Sequence, residues 1–202
     1  MGELQLTPLC KLAYKYKTDK CPQIAHHYTP FYYELLKDRR ESVKKVLELG
    51  IGYITVRNIK MGYIIGSSLY MWRDFFPNAQ IYGIDIVPTS IFQDDRIETF
   101  LYDETKKEDL EDLIKKTGSD IDLLVDDGSH KTDDQIFAAK TLMPLLDKGV
   151  TYIIEDVGFN RRIMRELSDY DCYSPVIPPR RNVTRPKQSV SRTKLVVVKH
   201  KA

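Results

Sequence analysis

The stretch LLVDDGSHKTDDQ, Leu123 to Gln135, joins three apolar residues to two adjacent carboxylates, a glycine, a serine and a histidine. It reads as a short buried strand that stops at Asp126-Asp127, then a turn, then a helix beginning near Thr132. A core strand has no use for that ending, and a surface loop can be built more simply. In an open parallel sheet, however, ligands bind outside the carboxyl ends of the strands. A strand that ends in these residue types suits such a rim.

Working outward from this stretch, strands alternate with helices. KKVLELG (44–50), AQIYGIDIV (79–87), RIETFLYDE (96–104), IDLLVDDG (121–128), GVTYIIED (149–156) and TKLVVVKH (193–200) read as strands. GSSLYMWRDFFPN (66–78) carries Leu69, Trp72 and Phe76 at helical spacing, with Ser67 or Ser68 as a candidate cap. KKEDLEDLIKKTG (106–118) sets Leu110, Leu113 and Ile114 on one face and ends on Gly118, a C-cap residue. TDDQIFAAKTLMPLL (132–146) is a helix with Thr132 as its expected cap and acids in its first turn. RRIMRELSDY (161–170) is a short helix, and SPVIPPRRNVTRPKQ (174–188) a proline-rich loop. This rhythm implies a mostly parallel sheet with helices on both faces. The last strand follows a loop rather than a helix, so it is expected antiparallel, at or near an edge.

The 202 residues suffice for one α/β domain with a sizeable core. A net charge of +2 does not by itself call for nucleic acid. The three cysteines, Cys10, Cys21 and Cys172, form no CxxC pair, which disfavours a disulfide framework or zinc site and suits a reducing compartment, the cytoplasm. No apolar run approaches the ~18 residues of a membrane span, no membrane association is expected, and MGELQLTPLC lacks a signal-peptide core. Beyond Cys172 every charged residue is basic, among them Arg180, Arg181, Arg185, Lys187, Arg192, Lys194, Lys199 and Lys201. That is either a solvated loop and hairpin or a surface attracting an anionic substrate.

Four strand ends are acidic or glycine-rich: Glu48-Leu49-Gly50-Ile51-Gly52, Asp85, Asp126-Asp127 and Glu155-Asp156, with Asp103 a fifth. Gly50 and Gly52 let backbone approach a ligand, but no third glycine completes a dinucleotide fingerprint, which disfavours NAD. Asp85 is placed to accept from a ribose diol and is equally readable as a cap; Asp103 facing a base is the weaker reading, because DETKKED is also an ordinary polar helix start. Neighbouring parallel strands lie about 4.8 Å apart, so the acids of 126–127 and 155–156 would repel unless a cation intervenes. An all-oxygen set suits Mg²⁺, Mn²⁺ or Ca²⁺. His130, three residues past Asp127, is a candidate general base. The aromatic segment 16–36, with His26, His27, Tyr28, Tyr32 and Tyr33, is either a cover over these ends or a docked surface helix.

Together, KTDK…HHYTPFYYELL, VLELGIG, GSSLYMWRDFFPNAQIYGIDI, VDDGSHKTDDQ and IIEDV resemble the class I S-adenosylmethionine-dependent sugar O-methyltransferases. The group is the macrocin, mycinamicin and rhamnosyl type, with the cephalosporin-hydroxylase-like proteins; the resemblance runs from about Tyr16 to Val157. It implies a Rossmann-like, mostly parallel seven-stranded sheet with one antiparallel strand, in a single domain over 1–202 with a cover segment 1–43 and a core 44–202. It implies Mg²⁺ held by Asp127, Glu155 and Asp156, and His130 as base. It implies cofactor contacts from Glu48, Gly50, Gly52, Asp85 and Asp103, with Asp126 near the methionine end, and Thr18 and Lys20 in the cover. The apolar segment YITVRNIKMGYII (53–65) departs from the family pattern and opens a difference in cofactor binding. The implied acceptor is a sugar or nucleotide sugar; homo-oligomerisation stays open. The rival readings are a methyltransferase of RNA or another small molecule, with nucleic acid disfavoured by the small net charge, and a non-catalytic nucleotide-binding module.

Overall fold

The computed structural model describes residues 6–52, 62–178 and 194–201. Most of the apolar segment 53–65 and of the basic proline-rich loop, including Arg180, Arg181, Arg185, Lys187 and Arg192, lies outside these residues.

Two helices come first, α1 (Pro8–Tyr16) and α2 (Tyr28–Leu36). Strands β1 (Lys45–Leu49), β2 (Gln80–Asp85), β4 (Ile97–Leu101), β5 (Leu123–Asp126) and β6 (Thr151–Ile154) form the parallel centre of the sheet, preceded at β4 by the two-residue β3 (Gln93–Asp94). Between them run α3 (Ser67–Phe75), α4 (Lys107–Thr117) and α5 (Thr132–Leu142). The chain ends through α6 (Asn160–Glu166), β7 (Asp171–Tyr173) and β8 (Val196–Lys199).

Among the described residues the sheet has eight strands, in the order β3-β4-β2-β1-β5-β6-β8-β7. β4, β2, β1, β5 and β6 pair in parallel; β3 and β8 run against their neighbours. The last strand is antiparallel as expected, one place in from the edge that β7 occupies. The sequence reading lacked β7 and β3. Both are too short for period-two patterning, and β7 alternates exposed with half-buried residues.

The alternation of side chains along each strand divides the core in two. Val46, Val125 and Ile153 face α1, α2 and α3, where Leu9, Tyr32, Leu69 and Trp72 cover them. Leu47, Leu124, Tyr152 and Ile154 face α4, α5 and α6 through Leu110, Leu113, Ala139 and Ile163. Each large side chain so buried stabilises by roughly 1.5–3 kcal/mol relative to its exposed state.

Two expected caps differ. α3 begins after Gly66, left-handed at φ 69°, and Ser67 donates its hydroxyl back to Ile64 O at 2.6 Å. α5 begins after Lys131 with no side-chain cap, so Thr132 is its first residue rather than its cap. Gly118 ends α4 as the sequence predicts.

Candidate active site at the carboxyl ends of the strands

The period of two decides which acids meet. Glu48 shares a face with Val46, Asp127 with Val125, and Glu155 with Ile153; all three therefore point toward the N-terminal helices. Asp126 points to the opposite face. It is fully buried and accepts from Tyr152 Oη at 2.9 Å. Burial, with Glu104 adding repulsion, holds its carboxyl well above the usual carboxylate range.

Lys20, from the loop between α1 and α2, stands among the three converging acids. Its Nζ lies 2.6 Å from Asp127 Oδ2, 2.7 Å from Glu155 Oε2 and 3.3 Å from Glu48 Oε1. Burial disfavours its charge; Asp127, Glu155 and Glu48 outweigh that and hold the ammonium well above the usual lysine range. Burial also raises Glu48, Asp127 and Glu155, while Lys20 pulls each back. Three carboxyls share one ammonium, so the cation cannot cancel the whole charge of the ring.

Aromatic donors from α2 and α3 close the ring. Tyr32 donates to Glu155 Oε1 at 2.5 Å, Trp72 Nε1 to Glu48 Oε2 at 2.7 Å, and Tyr28 to Asp156 Oδ1 at 2.5 Å. Burial and the charges of Asp156 and Glu155 push the Tyr28 phenol far up, so it stays a donor. His26 stacks on Tyr28 and presents Nδ1 3.6 Å from Asp156 Oδ1. The segment 16–36 is therefore both things the sequence allowed, a docked helix and a cover over the strand ends.

One group among the described residues has the spacing of a metal site: Asp127, His130 and Asp156, with ligand atoms within 4.8 Å of one another. His130 and Asp156 are left-handed, at φ 57° and 51°, a conformation non-glycine residues adopt at a cost. His130 Nδ1 lies 3.8 Å from Asp127 Oδ1 and, though buried, has no hydrogen-bond partner. Two carboxylates aimed at one point, with an orphaned imidazole nitrogen beside them, fit a divalent cation. Glu155 faces the same ring but spends one oxygen on Lys20 and the other on Tyr32.

The remaining expected contacts are placed as follows. Gly50 is left-handed, and a Cβ there would meet Asp127 O at 2.5 Å, so the close approach it permits is between two strand ends. Asp85 accepts the amides of Ile51 and Val87, which fixes the glycine turn and leaves one lone pair on each oxygen for a ligand. Tyr63 donates to Ile51 O at 2.9 Å, and its hydroxyl fills the space beside Gly52. Asp103 accepts from Thr105 N and Oγ1, closing the turn before α4. Thr18 is buried and its amide closes the end of α1 on Ala13 O. The structure thus brings Lys20, Glu48, Asp127, His130, Glu155 and Asp156 together, and turns Asp126, Asp103 and Thr18 elsewhere.

Sequence reasoning missed Glu104. It is buried, accepts Ser129 N at 2.6 Å and lies directly over Gly128, holding the turn that carries His130. Beyond Asp156 opens a groove of about 550 Å³ lined by Gly158, Phe159, Asn160, Arg161, Arg162, Arg165 and Lys194. Arg162 pairs with Asp133 and Arg165 with Glu166; among the described residues Arg161 and Lys194 have no ion-pair partner.

No protein-family model matches the chain. It is 35% identical over 149 residues to mycinamicin VI 2''-O-methyltransferase of Micromonospora griseorubida, covering 74% of this chain and 36% of that protein. It is 36% identical, with the same coverage, to 8-demethyl-8-(2-methoxy-alpha-L-rhamnosyl)-tetracenomycin-C 3'-O-methyltransferase of Streptomyces olivaceus. The chain thus spans about a third of the length of these curated relatives, 36%. The MycE methyltransferase of the mycinamycin biosynthetic pathway, solved in complex with Mg and SAH, matches with a TM-score of 0.73 at 27% identity, over 98% of this chain and 54% of that one. In sequence and in its Rossmann-like fold, the chain is a relative of the sugar O-methyltransferases of the mycinamicin, macrocin and rhamnosyl-tetracenomycin type.

Proposed function

We propose that the chain is an S-adenosylmethionine- and Mg²⁺-dependent O-methyltransferase that methylates a hydroxyl of a sugar, carried as a glycoside or a nucleotide sugar. The observation that carries this reading is the convergence of Asp127, His130 and Asp156 at one point of the rim. Support comes from the relatives at 35–36% identity and from the Mg and SAH held by the MycE structure.

Asp127 and Asp156 would hold the ion, with Glu155 completing the set when Lys20 and Tyr32 share its oxygens. When bound, Mg²⁺ supplies a Lewis acid for the acceptor hydroxyl, and the sulfonium cofactor supplies the methyl group. Beside Asp127 and Asp156, His130 would take the proton of the acceptor hydroxyl as general base. General base action of this kind is worth roughly 10²–10⁴-fold. The turn Gly50–Gly52 with Asp85 would hold the cofactor, and access to Gly52 requires Tyr63 to swing aside. The described cover and core act here as one unit, since Lys20, Tyr28 and Tyr32 complete the rim.

The groove beyond Asp156 suits the rest of the acceptor. Phe159, two-thirds exposed, offers a flat apolar surface, and Arg161 and Lys194 offer uncancelled positive charge, which favours a phosphate-bearing sugar. Among the described residues no helix is long and apolar enough to cross a membrane. The three cysteines are free, in keeping with work in the cytoplasm.

The test is transfer of labelled methyl from S-adenosylmethionine to a panel of glycosides and nucleotide sugars, with Mg²⁺ and with excess EDTA. We expect turnover of at least one acceptor, abolished by EDTA and reduced 10²–10⁴-fold in His130→Ala with cofactor binding intact. Full activity in EDTA, or near-native turnover of the His130 variant, would overturn the assignment.

A further inference from the structure

We propose that Lys20 is a built-in cation of the rim: it stands where a second divalent ion would otherwise be drawn, and leaves only the outer position, at Asp127 Oδ1 and Asp156 beside His130, for an exchangeable one. The second half of this inference rests on the metal reading above; the first does not.

The two positions differ in burial. Side-chain exposure is 1% for Lys20, Glu48 and Glu155, against 22% for Asp127, 32% for His130 and 19% for Asp156. The inner position is already complete. A lysine ammonium has three donors, and three carboxylates lie 2.6, 2.7 and 3.3 Å from it. A metal ion could enter that ring only by expelling Lys20.

The side chain is held from behind as well. The Lys20 carbonyl accepts the amides of Tyr28 and Thr29, the first two residues of α2, at 3.2 and 3.0 Å. His26 N donates to Asp19 O at 2.7 Å, and Cys21 Sγ to Thr18 O at 3.8 Å. The loop that delivers the ammonium is therefore built into the start of α2. Asp127 joins the two positions, giving Oδ2 to Lys20 and leaving Oδ1 toward His130. Four carboxyl groups, those of Glu48, Asp127, Glu155 and Asp156, crowd the rim; the fixed ammonium serves the three inner ones and leaves the outer oxygens of Asp127 and Asp156 for a divalent ion.

The experiment uses the full chain as wild type, Lys20→Met, Lys20→Arg and the double variant Lys20→Met/Glu48→Gln. Melting is followed after metal removal and again with Mn²⁺, and Mn²⁺ binding is titrated by calorimetry. Lys20→Met should melt about 10 °C lower without metal, because it leaves buried carboxylates uncompensated. Mn²⁺ should restore it, binding about tenfold tighter than to wild type or as a second equivalent, because a like charge a few ångströms away has gone. Lys20→Arg should stay near wild type, and the double variant should recover part of the loss without metal. If Lys20→Met does not fold metal-free, folding of the double variant supports the proposal and its failure overturns it. A metal-free melt of Lys20→Met within about 2 °C of wild type, or equal damage in Lys20→Arg, also overturns it. Mn²⁺ uptake by Lys20→Met alone supports Lys20's role and sinks the metal reading; uptake by neither overturns both.

Discussion

The Tyr28 phenol donates to Asp156 Oδ1 at 2.5 Å across 128 positions of sequence. The bond joins the first turn of α2 to the last carboxylate of the rim. It fixes the rotamer of an acid whose backbone already sits in the left-handed region. Tyr28→Phe keeps the ring and its stack on His26 and removes only the donor. We expect a loss of about 1.5–3 kcal/mol in urea unfolding, as for a bond to a charged group. We also expect a 10–100-fold fall in Mn²⁺ affinity, as for partners that orient a ligand. Unchanged affinity would show that Asp156 needs no such support.

The docking of α1 responds to acid. Burial pushes the Asp74 carboxyl up, but donation from Tyr16, Lys15 and Arg73 outweighs it and brings the group down to about 2, from 3.8. The folded chain then binds fewer protons than the unfolded one. The stability this gives is complete above the unfolded value and is lost as pH falls toward 2. Asp74→Asn should therefore be less stable than wild type at pH 6, by about 1 kcal/mol or less given solvent screening. The gap should close by pH 2 in urea titrations; a gap that persists there would assign the effect to packing.

Two glycines make opposite predictions. Gly50, at φ 77°, has Asp127 O 2.5 Å from where a Cβ would sit, and that neighbour is backbone that cannot rotate away. Gly50→Ala should cost more than about 1 kcal/mol and disturb the Asp127 turn. A Cβ on Gly149 meets nothing within 4 Å. Gly149→Ala should be neutral or stabilise by about 0.4–1 kcal/mol through the unfolded state. Thermal melts of the two variants decide.

The groove beyond Asp156 predicts a division between acceptors. Arg161→Ala with Lys194→Ala should raise KM for a nucleotide sugar about tenfold, with little change in kcat or in KM for a neutral glycoside. The effect on the nucleotide sugar should shrink in high salt. Equal effects on both acceptor types would place the phosphate elsewhere.

The sequence made much of this rim legible because strands carry a period. Glycine- and acid-terminated apolar runs marked the strand ends, and counting by two sets Glu48, Asp127 and Glu155 on one face. The same count sets Asp126 on the other, where it meets Tyr152. What had no period was not legible. DETKKED reads as a polar helix start, and nothing in it says that Glu104 is buried beneath the histidine turn while Asp103 caps. Lys20 and Tyr63 lie on loops whose direction is set by contacts distant in sequence, so neither the ammonium among the acids nor the phenol beside Gly52 could be read from spacing.

The contact of Lys20 with Glu155 spans 135 positions. Loop closure over such a span is entropically costly, and chains form local contacts first. The ammonium meets Glu155, which follows β6, only when the N-terminal loop lies against the sheet. The charge balance of the rim is then among the last features the polypeptide completes as it folds, and a partly folded chain would hold its strands first.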